Sequence, residues 1–274
     1  MKPFFSGILF LLPFLPVAQV VRQPLSIKYA GLSAYSKHFP DIFSGAANQA
    51  AFAQIKSGGL GMFGERRFLI PDLNQFCTIV ALPTSSGTFA LQADYFGFSS
   101  FNENQIGLAY ARTITKQVDV GVKFNHHSIQ AAGYGNASAV NFEAGAIFHL
   151  TENVHTGFHV YNPFSSKLGK NRNEQLGSIY KAGLGYEPSK QVLISTEIVK
   201  QEDVPVSVIA GLQYNIHEQI NLRCGISTGT NDIFFGMGLL LGLASININS
   251  SYHPQLGFTP GVSILINFKK PEKQ

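Results

Sequence analysis

The sequence is short of charged residues and has no tryptophan. Charged residues make up 13% of its 274 residues, against about 25% in soluble domains, while hydrophobic residues make up 45%. A chain with so little charge needs an unusually large core or a nonaqueous environment. The net charge of +4 is modest and no basic run stands out, so the composition gives no support for nucleic-acid binding.

Long apolar runs are missing beyond the N-terminus. The opening residues combine a positive Lys2, an apolar run from Ile8 to Val17 and a plausible cleavage position at Ala18, which predicts a signal peptide over residues 1–18. The alternative is a membrane-anchoring helix, but the run is short and two prolines interrupt it. No later stretch approaches the roughly 20 apolar residues of a spanning helix, so the apolar surplus must lie in strands.

Strict alternation of apolar and polar residues begins near residue 57. In Val118 to His127, "VDVGVKFNHH", one face carries Val118, Val120, Val122 and Phe124, and the other carries Asp119, Gly121, Lys123 and Asn125. This period of two predicts a strand with one apolar and one polar face. We count about 14 such segments, each near the roughly 10 residues of a tilted membrane strand. They are 57–68, 73–82, 87–97, 104–114, 118–127, 138–150, 153–161, 177–187, 190–200, 204–216, 219–227, 232–241, 243–252 and 258–268.

The connections between these segments alternate in length. Tight polar turns are predicted at 115–117, 151–153, 188–190 and 217–219, and longer loops at 97–103, 128–138, 162–177 and 252–260. Short turns on one side and long loops on the other are typical of an outer-membrane barrel. We therefore predict an all-β fold, a transmembrane antiparallel β-barrel of about 14 strands. A soluble exported β-sandwich also alternates, but the scarcity of charge and the loop asymmetry disfavour it. In place of tryptophan, tyrosines near strand ends would form the aromatic girdles: Tyr110, Tyr180, Tyr186, Tyr214 and Tyr252.

If the apolar faces meet lipid, the other faces line a lumen that carries three acids and three bases. These are Asp119, Lys123, Glu143, Lys181, Glu197 and Arg223. Because an unpaired buried charge is expensive, we expect cross-lumen salt bridges or a wet, crowded interior rather than an apolar conduit. Glycines at inner positions leave room for an inserted segment or water. They are Gly121, Gly145, Gly157, Gly183, Gly185, Gly211 and Gly225.

Side chains suited to catalysis do not converge in this pattern. His126 and His127 point to opposite faces of one strand, and His149 and His155 flank a turn on the inner face, where they would form a cross-strand pair. Two histidines without a third ligand make a weak metal site. Nothing positions an orienting group for a Ser–His arrangement at Ser128. We therefore predict no catalytic, cofactor-binding or metal-binding residues and no enzymatic activity.

Two cysteines are present, and an exported protein could pair them. Cys77 shares its face with Ile79, whereas Cys224 shares its face with the lipid-facing Leu222. The two side chains are therefore expected to point in different directions, which favours free thiols over a disulfide.

A family resemblance begins in the segment "YAGLSAYSKHFPDIFSGAANQAAFA", residues 29–53. It resembles the N-terminal segment of the FadL-like outer-membrane barrels, and is most similar to the PorV/PorQ-type proteins of Bacteroidota. Ala30 with Gly31, Asp41, and Asn48 with Ala50 match the family pattern, while Gln49 replaces its usual proline and Ala51 its usual glycine. Further pieces that fit the family lie at 82–112, 133–136, 161–164 and 250–264.

The resemblance implies a 14-stranded barrel whose N-terminal segment folds inward as a hatch. The expected organisation is a hatch over residues 19–56, a barrel over 57–270 and a periplasmic tail over 271–274. Candidate hatch residues are Gly31, Asp41, Gly45, Asn48 and Gln49.

Two functions in the outer membrane of a Gram-negative bacterium follow from the resemblance. The first is an accessory subunit of a type IX-like secretion or outer-membrane assembly machine, with outer-membrane lipids and other outer-membrane or periplasmic proteins as partners. The alternative is a FadL-like passive transporter of a small hydrophobic ligand. The charged lumen and short loops favour the first function.

Overall fold

The computed structural model describes residues 27–169 and 174–269 of the chain. The predicted signal peptide, residues 1–18, and the predicted tail, residues 271–274, lie outside the described residues. Within the described ranges, no helix is long and apolar enough to cross a membrane.

Fourteen antiparallel strands form a closed barrel, which confirms the predicted fold class and strand number. The strands of the first half are β1 (Gly59–Arg66), β2 (Asn74–Thr84), β3 (Gly87–Phe98), β4 (Phe101–Thr115), β5 (Val118–Ala131), β6 (Gly135–His149) and β7 (Val154–Tyr161). After a small separate hairpin, β8 (Lys167–Leu168) with β9 (Glu174–Gln175), the barrel continues. Its second half is β10 (Ile179–Ser189), β11 (Val192–Gln201), β12 (Ser207–His217), β13 (Ile220–Ser227), β14 (Asp232–Leu241), β15 (Ala244–His253) and β16 (Gly257–Asn267).

Closure depends on the pairing of the first strand with the last. Gly59 of β1 lies opposite Asn267 of β16, and Glu65 lies opposite Gly261. Strand β7 pairs directly with β10, so the hairpin β8–β9 stands outside the barrel wall. With no open edge, every strand finds partners on both sides, which is what a lipid environment requires.

Three of the four predicted long loops are wrong in length. Strand β5 continues to Ala131 and β6 begins at Gly135, and the neighbouring connections at 99–100 and 254–256 are equally tight. Polar residues in these regions still pair with the adjacent strand, because pairing does not require apolar side chains on either face. Only the connection at 162–178 is long, and it contains the hairpin β8–β9.

The faces of the strands follow the predicted alternation. In β5, Val120 and Phe124 are exposed on the outside, whereas Asp119 and Lys123 are buried on the inside. The same division holds in β6, β12, β13 and β15. The tyrosines named as girdle candidates also lie on the outer face, and Tyr252 and Tyr110 pack against Phe258 and Phe89 with ring centroids 4.8 and 4.9 Å apart.

The two cysteines lie on opposite faces of the wall. Cys77 is buried among inward residues of β2, and Cys224 is exposed on the outside of β13. Both thiols are free, as the alternation predicts.

The N-terminal segment enters the lumen and forms the hatch, here defined as residues 27–56. It consists of helix α1 (Ile27–Ala34), a single turn α2 (Ser44–Ala47) and a 3₁₀ helix (Gln49–Gln54). Asn48 begins the 3₁₀ helix, and its side-chain oxygen accepts a hydrogen bond from the Ala50 amide at 3.1 Å. A second 3₁₀ turn, Arg67–Leu69, connects β1 to β2.

Inner-face glycines form the seats on which the hatch rests. A Cβ atom placed at Gly121 would lie 2.4 Å from the carbonyl carbon of Gln49, and one placed at Gly185 would lie 1.7 Å from the Tyr35 carbonyl oxygen. Gly145 receives the side-chain oxygen of Asn48 in the same way. Only glycine allows such a close approach of backbone to sheet, so these positions fix the depth of the hatch.

Apolar residues of the hatch pack against small residues of the turn-side wall. Ile42, Phe43, Phe52 and Ile55 form one buried cluster with wall residues that include Cys77, Ile79, Ala81, Ala90, Ala109 and Ala111. Inside the hatch, the Phe52 ring lies where a side chain at Gly45 would be, 2.3 Å from the position of its Cβ. The hatch is therefore held by apolar burial as well as by polar contacts.

We predict that Gly121→Ala weakens the seating of the hatch without opening the barrel. The added methyl group meets hatch backbone, which cannot rotate away, whereas Gly107→Ala meets the flexible ends of Asn125 and Lys123 and serves as the control. Limited proteolysis of the refolded protein should cut within residues 36–56 faster in Gly121→Ala only. Equal cleavage rates in both variants would contradict this seating.

Candidate functional site in the plugged lumen

Buried polar side chains fill the lumen between the hatch and the loop side. The innermost ion pair joins Lys123 of β5 to Glu143 of β6, with Nζ 2.8 Å from Oε1. The two residues are direct cross-strand neighbours, so the alternation places them together on the inner face. Lys123 also donates to the Gln92 side chain at 3.1 Å.

Glu143 is the point where hatch and wall meet. Its carboxylate accepts hydrogen bonds from the side chains of Gln49 in the hatch and Asn125 in β5, and it lies 3.1 Å from His159 Nε2. With Lys123, four groups therefore surround one buried carboxylate. This satisfies a charge that would otherwise be strongly unfavourable inside the barrel.

A second set of ionic contacts ties the hatch to β10, β11 and β13. Lys181 lies 3.5 Å from Glu197, and Arg223 lies 3.7 Å from Asp41 of the hatch. Tyr35 donates its hydroxyl hydrogen to Glu197 at 2.6 Å. Burial raises the pKa of the Tyr35 hydroxyl well above its usual value, and the charge of Glu197 raises it further, so Tyr35 remains a neutral donor.

The six wall charges thus pair differently from the expected cross-lumen salt bridges. Lys123 and Lys181 pair with acids on the adjacent strand, while Arg223 pairs with the hatch. The sixth charge, Asp119, contacts His149. The reason is spatial, because the hatch lies between opposite walls and each charge finds its partner on a neighbouring strand or on the hatch itself.

The five candidate hatch residues occupy different places in this arrangement. Gly31 lies against Ala47 and Glu197, and Gly45 makes room for Phe52. Asp41 accepts hydrogen bonds from the Ser44 amide and hydroxyl, which fixes the turn into α2. Asn48 donates to the Phe158 carbonyl oxygen at 3.2 Å, and Gln49 donates to Glu143.

Several residues that hold the hatch are absent from the sequence-based list. They are Tyr35, His38, Gln54, His159 and Glu187. Glu187 could have been found, because it continues the inner face of Gly183 and Gly185 in β10. The hatch residues could not, because the path of an irregular segment has no periodicity from which to read its contacts.

The loop-side end of the lumen is covered by the long connection. Leu168 and Leu176 pack on the inward residues Ile129 and Ala139 of β5 and β6. Asn162 holds this cover in place, since its side chain donates to the Leu176 carbonyl oxygen at 2.6 Å and accepts from the Ser166 amide at 3.0 Å. Between cover and hatch, an internal cavity of about 40 Å³ is lined by residues that include Lys123, Glu143, His159 and Lys181.

A larger apolar groove of about 490 Å³ lies on the outer face of the same wall. Its floor consists of two rows across β6, β7, β10 and β11, namely Ala144, Val160, Tyr180 and Lys200, and then Ala146, Phe158, Ala182 and Ile198. The alanines and Gly145 make the wall thin there. Both His159 and Lys181 line the groove and the internal cavity, so one thickness of sheet separates the two spaces.

A closed 14-stranded barrel with an apolar outer face, girdles of tyrosine and an inserted N-terminal hatch defines a protein of the outer-membrane barrel class. Its fold is similar to that of solved channel structures. The CymD monoaromatic hydrocarbon channel matches with a TM-score of 0.62 at 12% identity, covering 83% of this chain and 93% of that chain. The toluene transporter TbuX of Ralstonia pickettii matches with a TM-score of 0.59 at 11% identity, covering 84% and 93%.

A FadL homologue of Pseudomonas aeruginosa is also similar, with a TM-score of 0.58 at 10% identity over 88% of this chain and 98% of that chain. At such low identities the similarity concerns the fold alone. No protein-family model matches the sequence, and no curated protein matches it.

We predict that Lys123→Met lowers the free energy of unfolding by about 3–5 kcal/mol, since it leaves Glu143 buried without its cation. The double variant Lys123→Met/Glu143→Gln should regain most of that loss. Lys200→Met on the outer face is the control and should change stability little. Urea unfolding in lipid vesicles measures these differences, and a double variant as unstable as the single one would contradict the assigned ion pair.

Proposed function

We propose that this protein is a passive channel for small hydrophobic molecules in the outer membrane of a Gram-negative bacterium. The observation that carries the proposal is a hatch that closes a 14-stranded barrel whose fold resembles hydrocarbon channels. Two of those similar structures are described as a monoaromatic hydrocarbon channel and a toluene transporter. By analogy with them, the solute here is a small apolar molecule.

The position of the outer groove supports a sideways route through the wall. A molecule that reached the internal cavity would be one sheet thickness from the groove, beside Gly145 and Ala182. The groove opens toward lipid, where an apolar solute is more stable than in water. Leaving through the wall also spares the solute from passing the charged contacts around Asp119 and Glu187 at the turn side.

The hatch must move for such passage to occur. The cavity of about 40 Å³ is close to the room that one water molecule occupies, roughly 30 Å³, and is too small for an aromatic hydrocarbon. Ala46 and Ala47 form the hatch side of this cavity. A displacement of α2 away from β5 and β6 would therefore enlarge it directly.

We predict that filling the groove slows uptake. Ala146→Phe and Ala182→Leu place bulk in the groove, and the matched control Ala93→Leu adds the same bulk to the outer face of β3, away from it. Uptake of a labelled aromatic hydrocarbon by cells of a Gram-negative host should fall several-fold in the first two variants only. A variant that lacks residues 26–54 shows the uptake of an unplugged barrel. Unchanged uptake in the filled variants, with the unplugged variant active, would refute the sideways route.

The accessory-subunit function is the second candidate, and the filled lumen is the observation that favours it. Polar contacts join the hatch to the wall through Glu143, Glu197 and Glu187, and such a barrel could serve as a closed platform for partners. The resemblance to PorV/PorQ-type proteins of Bacteroidota, and with it a role in type IX-like secretion, stays a prediction from the sequence.

Extraction in mild detergent followed by affinity capture and mass spectrometry distinguishes the two candidates. The channel proposal predicts a barrel without stoichiometric protein partners that retains lipid or another apolar molecule. Recovery of a large outer-membrane or periplasmic protein in constant ratio, abolished by substitutions at the loop tips such as Phe164→Ser or Tyr134→Ser, would favour the accessory function instead.

A further inference from the structure

Four titratable side chains form a continuous row at the turn-side end of the lumen. Asp119 of β5 contacts His149 of β6, with Oδ2 2.9 Å from Nε2. His149 and His155 of β7 face each other through their Nδ1 atoms at 2.9 Å. His155 Nε2 in turn lies 3.3 Å from Glu187 Oε1 of β10, an ion-pair distance without the alignment of a hydrogen bond.

The positions of the protons follow from these contacts. Each histidine presents Nε2 to a carboxylate oxygen, and a lone pair there would repel the negative charge, so both Nε2 atoms carry hydrogen. Two neutral rings of this kind would then direct two Nδ1 lone pairs at each other across 2.9 Å. One additional proton removes the conflict, because one ring becomes a donor to the other. Two additional protons restore the conflict, with two N–H groups opposed.

Both ends of the row hold the hatch. At one end, Asp119 accepts a hydrogen bond from the Gln54 side chain, and Thr113 of β4 donates to its other oxygen at 2.6 Å. At the other end, Glu187 accepts from the Lys37 amide and contacts the His38 ring. Gln54 and Lys37 lie near opposite ends of the second half of the hatch, so one row of side chains fastens the segment between them.

We propose that His149 and His155 together bind a single shared proton, and that this proton fastens the hatch to the barrel wall. Between the two carboxylates the protonated pair neutralises one of two negative charges. Loss of the proton leaves two carboxylates and two opposed lone pairs in a buried row, and gain of a second proton opposes two cations. Either change separates the rings and loosens the contacts with Gln54 and His38.

The surroundings of the pair restrict what else could set its charge. His155 is fully buried and His149 nearly so. The titratable groups that contact the row are Asp119 and Glu187 from the wall and His38 from the hatch, while Thr113 and Gln54 are neutral. Within the described ranges no third histidine, cysteine or carboxylate completes a set of metal ligands with the pair. The device is therefore one for protons, and it does not depend on which solute, if any, the barrel passes.

Nuclear magnetic resonance of protein labelled with ¹⁵N-histidine in detergent micelles tests the shared proton directly. We expect one strongly downfield proton signal that couples to Nδ1 of both rings, and that disappears in His149→Gln and in His155→Gln. His126→Gln changes a histidine on the outer face of β5 and should leave the signal unchanged. Two unprotonated Nδ1 atoms throughout the pH range in which the hatch is protected would overturn the proposal.

Hydrogen exchange of the hatch amides, measured by mass spectrometry across a pH series and corrected for intrinsic rates, tests the fastening. Protection of residues 36–56 should pass through a maximum and fall about tenfold or more on either side, as expected when a buried charged hydrogen bond is lost. Both His149→Gln and His155→Gln should give lower protection without a maximum, whereas His126→Gln should keep it.

Three results would contradict the fastening role. Protection that changes in one direction only with pH would exclude a single shared proton. A maximum that persists in His149→Gln and His155→Gln would assign it to other groups. Loss of protection on addition of a chelator at constant pH would show that a metal ion, rather than a proton, joins the rings. Retention of the folded barrel, seen as heat-modifiable migration on gels, is checked for every variant.

Discussion

The number of strands in the closed sheet sets the requirement that the remainder of the chain meets. A barrel of about eight strands can fill its interior with its own side chains, but one of 14 strands cannot. The sheet here leaves space on purpose, with glycine at the inner positions that face the hatch and with polar groups between them. The hatch supplies backbone to the glycines and side-chain amides to the carboxylates. Sheet and hatch are therefore each incomplete without the other.

Polar contacts, rather than apolar ones alone, determine how tightly this interior is closed. Apolar packing around Phe52 and Ile79 is non-directional and tolerates small shifts, whereas Glu143 with its four partners accepts one geometry. A buried network of this kind specifies a single arrangement when all its members are satisfied. It also makes movement cooperative, because displacing Gln49 exposes Glu143 and with it the contacts of Lys123 and His159. A gate built in this way is closed firmly or released as a unit.

Much of the barrel could be predicted from the sequence, since a period of two is a direct consequence of the pleat. Every one of the 14 predicted segments corresponds to a strand, and the inner charges follow from the same alternation. The loop lengths could not, because polar stretches such as 128–131 continue to pair beyond the apolar band. The partners of the charges could not either. Glu187 and His38 meet only because the hatch follows one particular path, and irregular backbone leaves no repeating pattern in the sequence.

The pairing of β1 with β16 has a consequence for the order of folding. Hatch residues come first in the chain, yet their seats lie far along it, with Asn48 and Phe158 separated by 110 positions and Ser33 and Gln213 by 180. Contacts between such distant residues form late, because the intervening chain must first be ordered. The hatch must therefore wait inside a curved, still open sheet until the last strand meets the first. Closure of the ring then encloses it, much as a lid is fixed to a jar by completing the rim around it.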